Sequence, residues 1–357
     1  MTVADLTPVF DGHNDFLLRL WSDPPHRGRL WLETGTTGHL DLPRMREGGF
    51  AGGLFAIFVP PARRPDAPDM AALMAEPPYD LPFPPDCALA AARDVALAQA
   101  GLMLWMERAA PHDFAVCKTA DEARVAMTEG KIAGVLHMEG AEAIDPDLDT
   151  LHALHAIGLR SLGPVWSRPT IFGYGVPFRF PGPPDTGPGL TEAGKRLVAE
   201  CNALGIVIDL SHLNEKGFDD VAAISDAPLV ATHSNVHAIC PSPRNLTDRQ
   251  LRQIAESGGM VGLNLATFFL RPDGRARRAT EIEVILRHFD HLLAILGEDG
   301  VGFGSDFDGC QVPEAVRDVT GFPKIVEAMR AHGYGEPLIA KLARENWLSL
   351  LERTERA

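Results

Sequence analysis

His13 and Asp15 stand two residues apart in FDGHNDFLLRL, residues 10–20, between one apolar run and the next. In a strand, residues i and i+2 point to the same side, so an imidazole and a carboxylate at this spacing face one point, and that point could hold a metal. Other groups that metals favour close further apolar runs: Glu139 ends IAGVLHME, His212 ends GIVIDLSH, His233 ends PLVATH, and Asp306 lies in VGFGSDFD. Each has a plain explanation when taken singly, since a histidine at a strand end is commonly structural and an Asp there commonly caps a helix. Taken jointly, they point to one centre.

Imidazoles and carboxylates without thiolate suit Zn2+ or a similar divalent ion. A tetrahedral catalytic site uses three protein ligands and leaves a position for water, so three histidines and two carboxylates suit two ions better than one. Glu139 has two oxygens and could bridge them. Two ions about 3.5–4 Å apart can share a hydroxide, active at neutral pH, and polarise a carbonyl, so the reaction class is metal-assisted hydrolysis. Asp306 could take a proton from that water and return it to the leaving group, with Asp308 as the competitor for the role. His137, two residues before Glu139, reads as a packing or supporting residue, and Asp209 as an internal hydrogen-bonding one. His233 and His237 form HxxxH, but Ser234 stands where a zincin carries Glu and the preceding residues read as strand, which excludes that motif.

The elements that must position these groups are legible as eight short apolar runs, around Val9 and over 52–59, 132–139, 159–166, 205–212, 228–233, 259–266 and 301–308. Between them, stretches such as 88–108, 192–204, 246–256, 280–297 and 337–353 carry apolar residues at helical spacing, as Leu197, Cys201 and Leu204 do. Strands alternating with helices call for a parallel sheet, and eight units close a (β/α)8 TIM barrel, here read as one α/β domain over 1–357. A doubly wound open sheet is the alternative. In a barrel the C-terminal strand ends share one mouth, which gathers His13, Asp15, Glu139, His212, His233 and Asp306. Two Pro- and Gly-rich segments, 60–86 and 168–190, each follow a strand and are expected to form walls or lids of a pocket. Arg63, Arg64, Arg168 and Arg179 on these segments read as solvated charges, with a substrate contact by one of them as the alternative.

A formal charge of −15 argues against nucleic acid or an anionic membrane as the partner, because both require clustered Lys and Arg, and it leaves a small molecule as the better fit. The five cysteines are scattered without a CxxC pair, so they are expected to be reduced and mostly buried. The N-terminus lacks a basic segment followed by a long apolar stretch, and no window reaches a membrane span; a cytoplasmic protein is expected.

The stretches DGHND, GVLHMEG, IDLSH, THSN with PRN, and VGFGSDFDG resemble, in order and spacing, the membrane (renal) dipeptidase family, the M19 metallopeptidases of the amidohydrolase superfamily. The resemblance runs from about residue 8 to about residue 350. It implies a barrel with a binuclear zinc centre that hydrolyses dipeptides. His13 and Asp15 would bind one zinc, His212 and His233 the other, Glu139 both, and Asp306 would be the general acid/base. Arg244 would pair with the dipeptide's free carboxylate, a role that suits its planar fork. Tolerance of a D-residue at the C-terminal position and a homodimer are also what the resemblance implies. One departure stands out: where members often carry a histidine that helps hold the scissile carbonyl, this chain has Trp166, whose indole N–H is a candidate donor. Two other readings compete, an amidohydrolase acting on N-acyl amino acids or cyclic amides, and an inactive barrel that serves as a binding protein.

Overall fold

Eight strands form the ring: β1 (Val9–Asn14), β2 (Phe50–Phe58), β3 (Ile132–Glu139), β4 (Leu159–Gly163), β5 (Val207–Ile208), β6 (Val230–Ala231), β7 (Met260–Leu263) and β8 (Val301–Phe303). In a computed structural model that describes residues 6–62 and 70–355, these strands lie in chain order and pair in parallel, and β8 returns to β1 through Phe303 opposite Asp11. The remaining gap, between β5 and β6, is narrowed by a bridge between Asp209 and Val230, where the Leu210 N–H donates to the Val230 carbonyl at 2.8 Å. The architecture is therefore a near-closed (β/α)8 barrel and not an open sheet. β1 and β3 are buried along their whole length, as strands with a filled interior on one side and helices on the other must be.

The helical stretches fold at Leu89–Ala109, Glu192–Ala203, Asp248–Glu256 and Ile282–Leu296. Their starts carry local signals. Thr191 accepts from the Gly194 N–H at 3.1 Å, and Thr247 and Gln250 form a reciprocal capping box. The stretch 337–353 differs from a uniform helix, because Glu336–Ala340 and Asn346–Glu355 are joined by a wider i→i+5 turn, Lys341–Glu345, that packs against β1 and β8.

That last segment delivers Trp347 to the core. Phe10, Leu54, Val135, Val207, Val230 and Met260, one from each of six strands, gather with Trp347 in one cluster, and the indole N–H donates to the Phe303 carbonyl at 2.8 Å. Gly12 makes this approach possible, since a Cβ there would lie 2.2 Å from the Trp347 ring. The packed ring forms a floor against Gly12, the residue before His13.

A strand that the periodicity does not announce, Phe114–Val116, pairs in parallel with Ile132–Gly134 beside β3. The two long loops meet: Tyr79–Asp80 pairs antiparallel with Arg179–Phe180, the Leu81 N–H donates to the Phe178 carbonyl at 2.9 Å, and Arg179 pairs with Asp80 at 2.7 Å. Arg63 and Arg64 lie outside the described residues. Arg168 corrects the expectation of a solvated charge. It is fully buried, because Glu142 and the Val59 carbonyl supply acceptors for it inside the protein.

Candidate metal centre and active site

The first strand delivers its pair differently from simple alternation. β1 ends at Asn14 with a register irregularity after Asp11, and Asp15 is the residue that precedes the helix Phe16–Ser22. His13 and Asp15 nevertheless converge, with Nε2 3.8 Å from Oδ2, because the chain turns as the strand ends. Asp11, which the sequence reading passed over, fixes this corner: its carboxylate accepts from the Ser305 N–H at 2.7 Å and from the Ser305 hydroxyl at 2.6 Å, tying β1 to the loop after β8.

Glu139, the last residue of β3, lies at the centre. Its Oε1 is 2.9 Å from His212 Nε2 and 3.2 Å from His233 Nε2, while its Oε2 is 3.8 Å from His13 Nε2. The two Nε2 atoms of His212 and His233 are themselves 3.2 Å apart. Each of these rings is held from behind, His212 Nδ1 by the Ser167 hydroxyl at 2.8 Å and His233 Nδ1 by the Thr232 hydroxyl at 2.8 Å. When those Nδ1 atoms carry the ring protons, the Nε2 lone pairs and the carboxylate oxygen converge as acceptors, an arrangement that a cation relieves. His13 Nδ1 and Nε2 and Asp15 Oδ1 are buried without a protein partner among the described residues, so this donor set has open valences where an ion would sit. Two groupings, His13 with Glu139 and His233, and His13 with Asp15 and Asp306, bring ligand atoms within 4.8 Å of one another.

Burial dominates the electrostatics. It pushes the His13 imidazole down to about 4 and those of His212 and His233 well below the ordinary histidine range, so all three are neutral, as metal ligands must be. Burial also raises Asp15 to about 7, with the Asp308 charge adding to it, and lifts Glu139 well above the usual carboxylate range, with Asp15 and Asp306 adding to it. Asp306 is raised to about 6, again chiefly by burial. These carboxylates are strained by mutual repulsion as well as by desolvation, and a divalent cation is the natural counterion.

Asp306 and Asp308 differ in their partners. Asp306 Oδ2 accepts from Asn264 Nδ2 at 2.9 Å, and its backbone N–H bonds the His13 carbonyl. Asp308 also lines the cavity; its Oδ1 accepts from the His39 N–H at 2.6 Å, and its Oδ2 is buried without a hydrogen-bond partner among the described residues, with Arg19 3.6 Å away. His212, Asp306 and Asp308 all adopt left-handed backbone, with φ of 69°, 60° and 66°. Residues other than glycine held there store about 1–3 kcal/mol each, a cost characteristic of functional sites. Gly309 completes the corner, since a Cβ on it would lie 2.0 Å from Asp15 Oδ2 and 2.4 Å from Asp306 Oδ1.

His137 packs edge-on to His13 with ring centres 5.1 Å apart and bonds the Ser161 hydroxyl through Nδ1. Asp209 is an internal acceptor, taking the Thr232 hydroxyl at 2.6 Å and the N–H groups of Ser211 and Thr232. His237 bonds the Gly182 carbonyl.

A cavity of about 120 Å³ opens onto the centre. Asp15, Glu139, His212, Asp306 and Asp308 supply its polar lining, and Phe58, Trp166, Phe178, Phe268 and Phe269 its aromatic lining. Trp166 lies edge-to-face with Phe58 at 5.0 Å and with Phe178 at 5.5 Å, and its ring centre is 5.9 Å from that of His212. Phe178 comes from the paired loops, so the wall role expected for 168–190 is visible in that residue. Arg244 is buried outside the cavity lining. It donates to the Ser234 hydroxyl at 2.7 Å and the His233 carbonyl at 2.8 Å, and its Nε has no partner among the described residues. Sequence reasoning did not single out Ser167, Asn264, Phe178 or Gly309; their roles depend on partners distant in the chain.

The sequence model of the membrane dipeptidase family (peptidase family M19) matches residues 1–357. A metallopeptidase from Rhodobacter sphaeroides, crystallised with a phosphinate mimic of the dipeptide L-Ala-D-Ala, is 65% identical, superposes with a TM-score of 0.96, and is covered over 98% of this chain and 100% of its own. The structure of the metallopeptidase described as dipeptidase AC, family M19, is 64% identical, with a TM-score of 0.95 and coverage of 98% and 99%. An uncharacterised protein from the PQQ-III 3′ region of Acinetobacter calcoaceticus is 43% identical over 287 residues, 80% of this chain and 89% of that protein. With this match along the whole chain and a metal-binding cluster at the barrel mouth, the protein is a metal-dependent dipeptidase and belongs to the membrane dipeptidase family, peptidase family M19.

Proposed function

We propose that the chain, acting as one barrel domain, holds two zinc ions and hydrolyses L-Xaa-L-Xaa and L-Xaa-D-Xaa dipeptides. The observation that carries this reading is the convergence of Glu139 Oε1 with the Nε2 atoms of His212 and His233, while Glu139 Oε2 faces His13. His13 and Asp15 would hold one ion, His212 and His233 the other, and Glu139 both. When bound, such a pair supplies Lewis acidity toward the scissile carbonyl and lowers the pKa of water.

The rest is the work of the chain. Asp306, beside Asp15 and buried enough to exchange a proton near neutral pH, takes a proton from the attacking water and passes it to the departing amine. Asn264 fixes its Oδ2, which leaves Oδ1 for the exchange. Arg244 keeps N–H donors beyond those given to Ser234 and His233; the family resemblance assigns them to the substrate carboxylate, which must then reach past the residues that line the cavity. Trp166, Phe58 and Phe178 line the apolar side and exclude water. A cavity of about 120 Å³ suits small side chains, and the dipeptide mimic bound by the Rhodobacter sphaeroides relative supports a D-residue at the second position.

The test is turnover by the zinc-loaded protein of L-Ala-L-Ala, L-Ala-D-Ala and their N-acetyl forms, with His13→Ala as control. Cleavage of the free dipeptides alone, lost in the control, is expected. Cleavage of only the acetylated compounds would transfer the assignment to an acyl-amino-acid hydrolase, and silence from a protein that holds two ions would defeat the substrate class.

A further inference from the structure

Trp166, Ser167 and Arg168 are consecutive, and each reaches a different part of the site. Trp166 forms the cavity wall, and the Ser167 hydroxyl holds His212 Nδ1 at 2.8 Å. Arg168 turns inward, fully buried, with Nε donating to Glu142 Oε1 at 2.6 Å and Nη2 to the Val59 carbonyl at 2.5 Å. Its guanidinium carbon lies 5.8 Å from the Trp166 ring centre. Val59 follows Phe58, which packs on Trp166, and Glu142 follows Glu139 by three residues. One side chain thus ties together the ends of β2, β3 and β4, and each of those ends supplies a cavity residue.

We propose that Arg168, held by Glu142, is a positioning residue of the dipeptidase site: it fixes the 166–168 segment so that Trp166 stands as the cavity wall and Ser167 orients the His212 ring. The inference rests on the dipeptidase reading for its substrate. Its physical basis is that the pair is expensive in the interior. Arg168 Nη1 and Glu142 Oε2 are buried without partners among the described residues, whereas a well-packed apolar pair of similar volume is commonly as stable as a buried ion pair or more so. Lys at 168 could not make both hydrogen bonds and stack, because it lacks the planar fork.

The experiment uses the full chain and three variants: Arg168→Met with Glu142→Leu, which removes both charges together; Arg168→Lys; and Ser167→Ala. Zinc retention is measured by chelator competition, KM and kcat on L-Ala-D-Ala, and Trp166 exposure by acrylamide quenching, taken as the difference from Trp166→Phe in each background. The double variant is expected to fold at least as stably as the parent, to lose zinc about tenfold more readily, to show KM raised about tenfold, and to expose Trp166. Arg168→Lys is expected not to rescue, and Ser167→Ala to weaken zinc retention while leaving Trp166 shielded. A folded double variant with unchanged KM, zinc retention and quenching would overturn the proposal. So would a double variant that does not fold, if Ser167→Ala also retains zinc like the parent. A parent protein that holds zinc but cleaves no dipeptide would defeat the dipeptidase reading, and zinc retention and quenching would still decide the positioning role.

Discussion

Glu139 Oε1 lies 2.9 Å from His212 Nε2, while the other oxygen of the same carboxylate, Oε2, faces His13 Nε2 at 3.8 Å. A single side chain therefore divides its two oxygens between histidines that come from β1 and from the segment after β5. Its position as the last residue of β3 makes this geometric, because strand ends on a barrel face one another across the mouth.

Glu139→Gln keeps the shape and removes the charge. If Glu139 holds both ions as proposed, the variant is expected to retain less zinc than the parent by elemental analysis. Turnover should fall by at least the ~10–100-fold that loss of an outer supporting partner costs. Full zinc content with parental turnover would rule out the bridging role.

Proton release on metal uptake should be governed by the carboxylates and not by the histidines. In the metal-free fold Asp15 is raised from 3.8 to about 7, so the stability this group contributes is present below pH 3.8 and is lost as the pH rises through about 7. His13 is lowered to about 4 and is already neutral at pH 6. Zinc uptake by chelated protein at pH 6 is therefore expected to release protons, and at pH 8 to release fewer, as measured by calorimetry in buffers of different ionisation heat. Equal release at both pH values would contradict this assignment.

Asp306 and Asp308 are separable by mutation. Asp306→Asn should lower kcat by about 10²–10⁴-fold with zinc content retained, which is the loss expected when a general acid/base is removed. Asp308→Asn should act less on kcat, because its Oδ1 already accepts from the His39 N–H and Arg19 lies 3.6 Å from its Oδ2. Steady-state kinetics on one dipeptide, with elemental analysis of both variants, decides between them.

Gly309 permits two carboxylates to approach the same backbone. A methyl group there would lie 2.0 Å from Asp15 Oδ2 and 2.4 Å from Asp306 Oδ1, so Gly309→Ala must displace both. The expected result is a protein that folds, by circular dichroism, but holds less zinc and loses turnover by more than tenfold, as outer-shell disruption commonly does. Parental zinc content and turnover would show that the corner can relax.

The eight strand runs and the polar groups at their ends were legible because barrel strands buried on both faces read as continuous apolar runs, and because chemistry gathers at the strands' C-terminal ends. What remained hidden depends on partners far away in the chain. Arg168 reads as a solvated charge within a Pro-rich loop until Glu142, 26 residues earlier, is seen beside it. Asp11 looks like one more polar residue of β1 until Ser305, 294 residues later, is seen donating to its carboxylate. Phe114–Val116 is only three residues long, too short for periodicity to register, and its pairing is set by β3. The convergence of His13 and Asp15 was anticipated for a partly incorrect reason: Asp15 lies beyond the strand, and the turn into Phe16–Ser22, not strand alternation, carries it to the site.

The floor of the site is the final point at which fold and function can be tested together. Trp347 is fully buried among side chains from six strands, and His13 follows Gly12, the residue that admits its ring. Trp347→Ala should cost about 3–5 kcal/mol, the usual loss for deleting a buried indole, and should open a void against Gly12, the neighbour of a residue that belongs to the metal cluster. Trp347→Phe keeps most of the ring but gives up the 2.8 Å bond to the Phe303 carbonyl, and leaving that acceptor unpaired costs about 1–3 kcal/mol. Denaturant unfolding of the zinc-free proteins should therefore rank parent, Phe variant and Ala variant in descending stability. If the floor also holds His13 in place, zinc retention should follow the same order. A stability loss with no change in zinc retention would show that the β1 corner is set by Asp11 and Ser305 alone, so that the packed interior supports the fold without tuning the site.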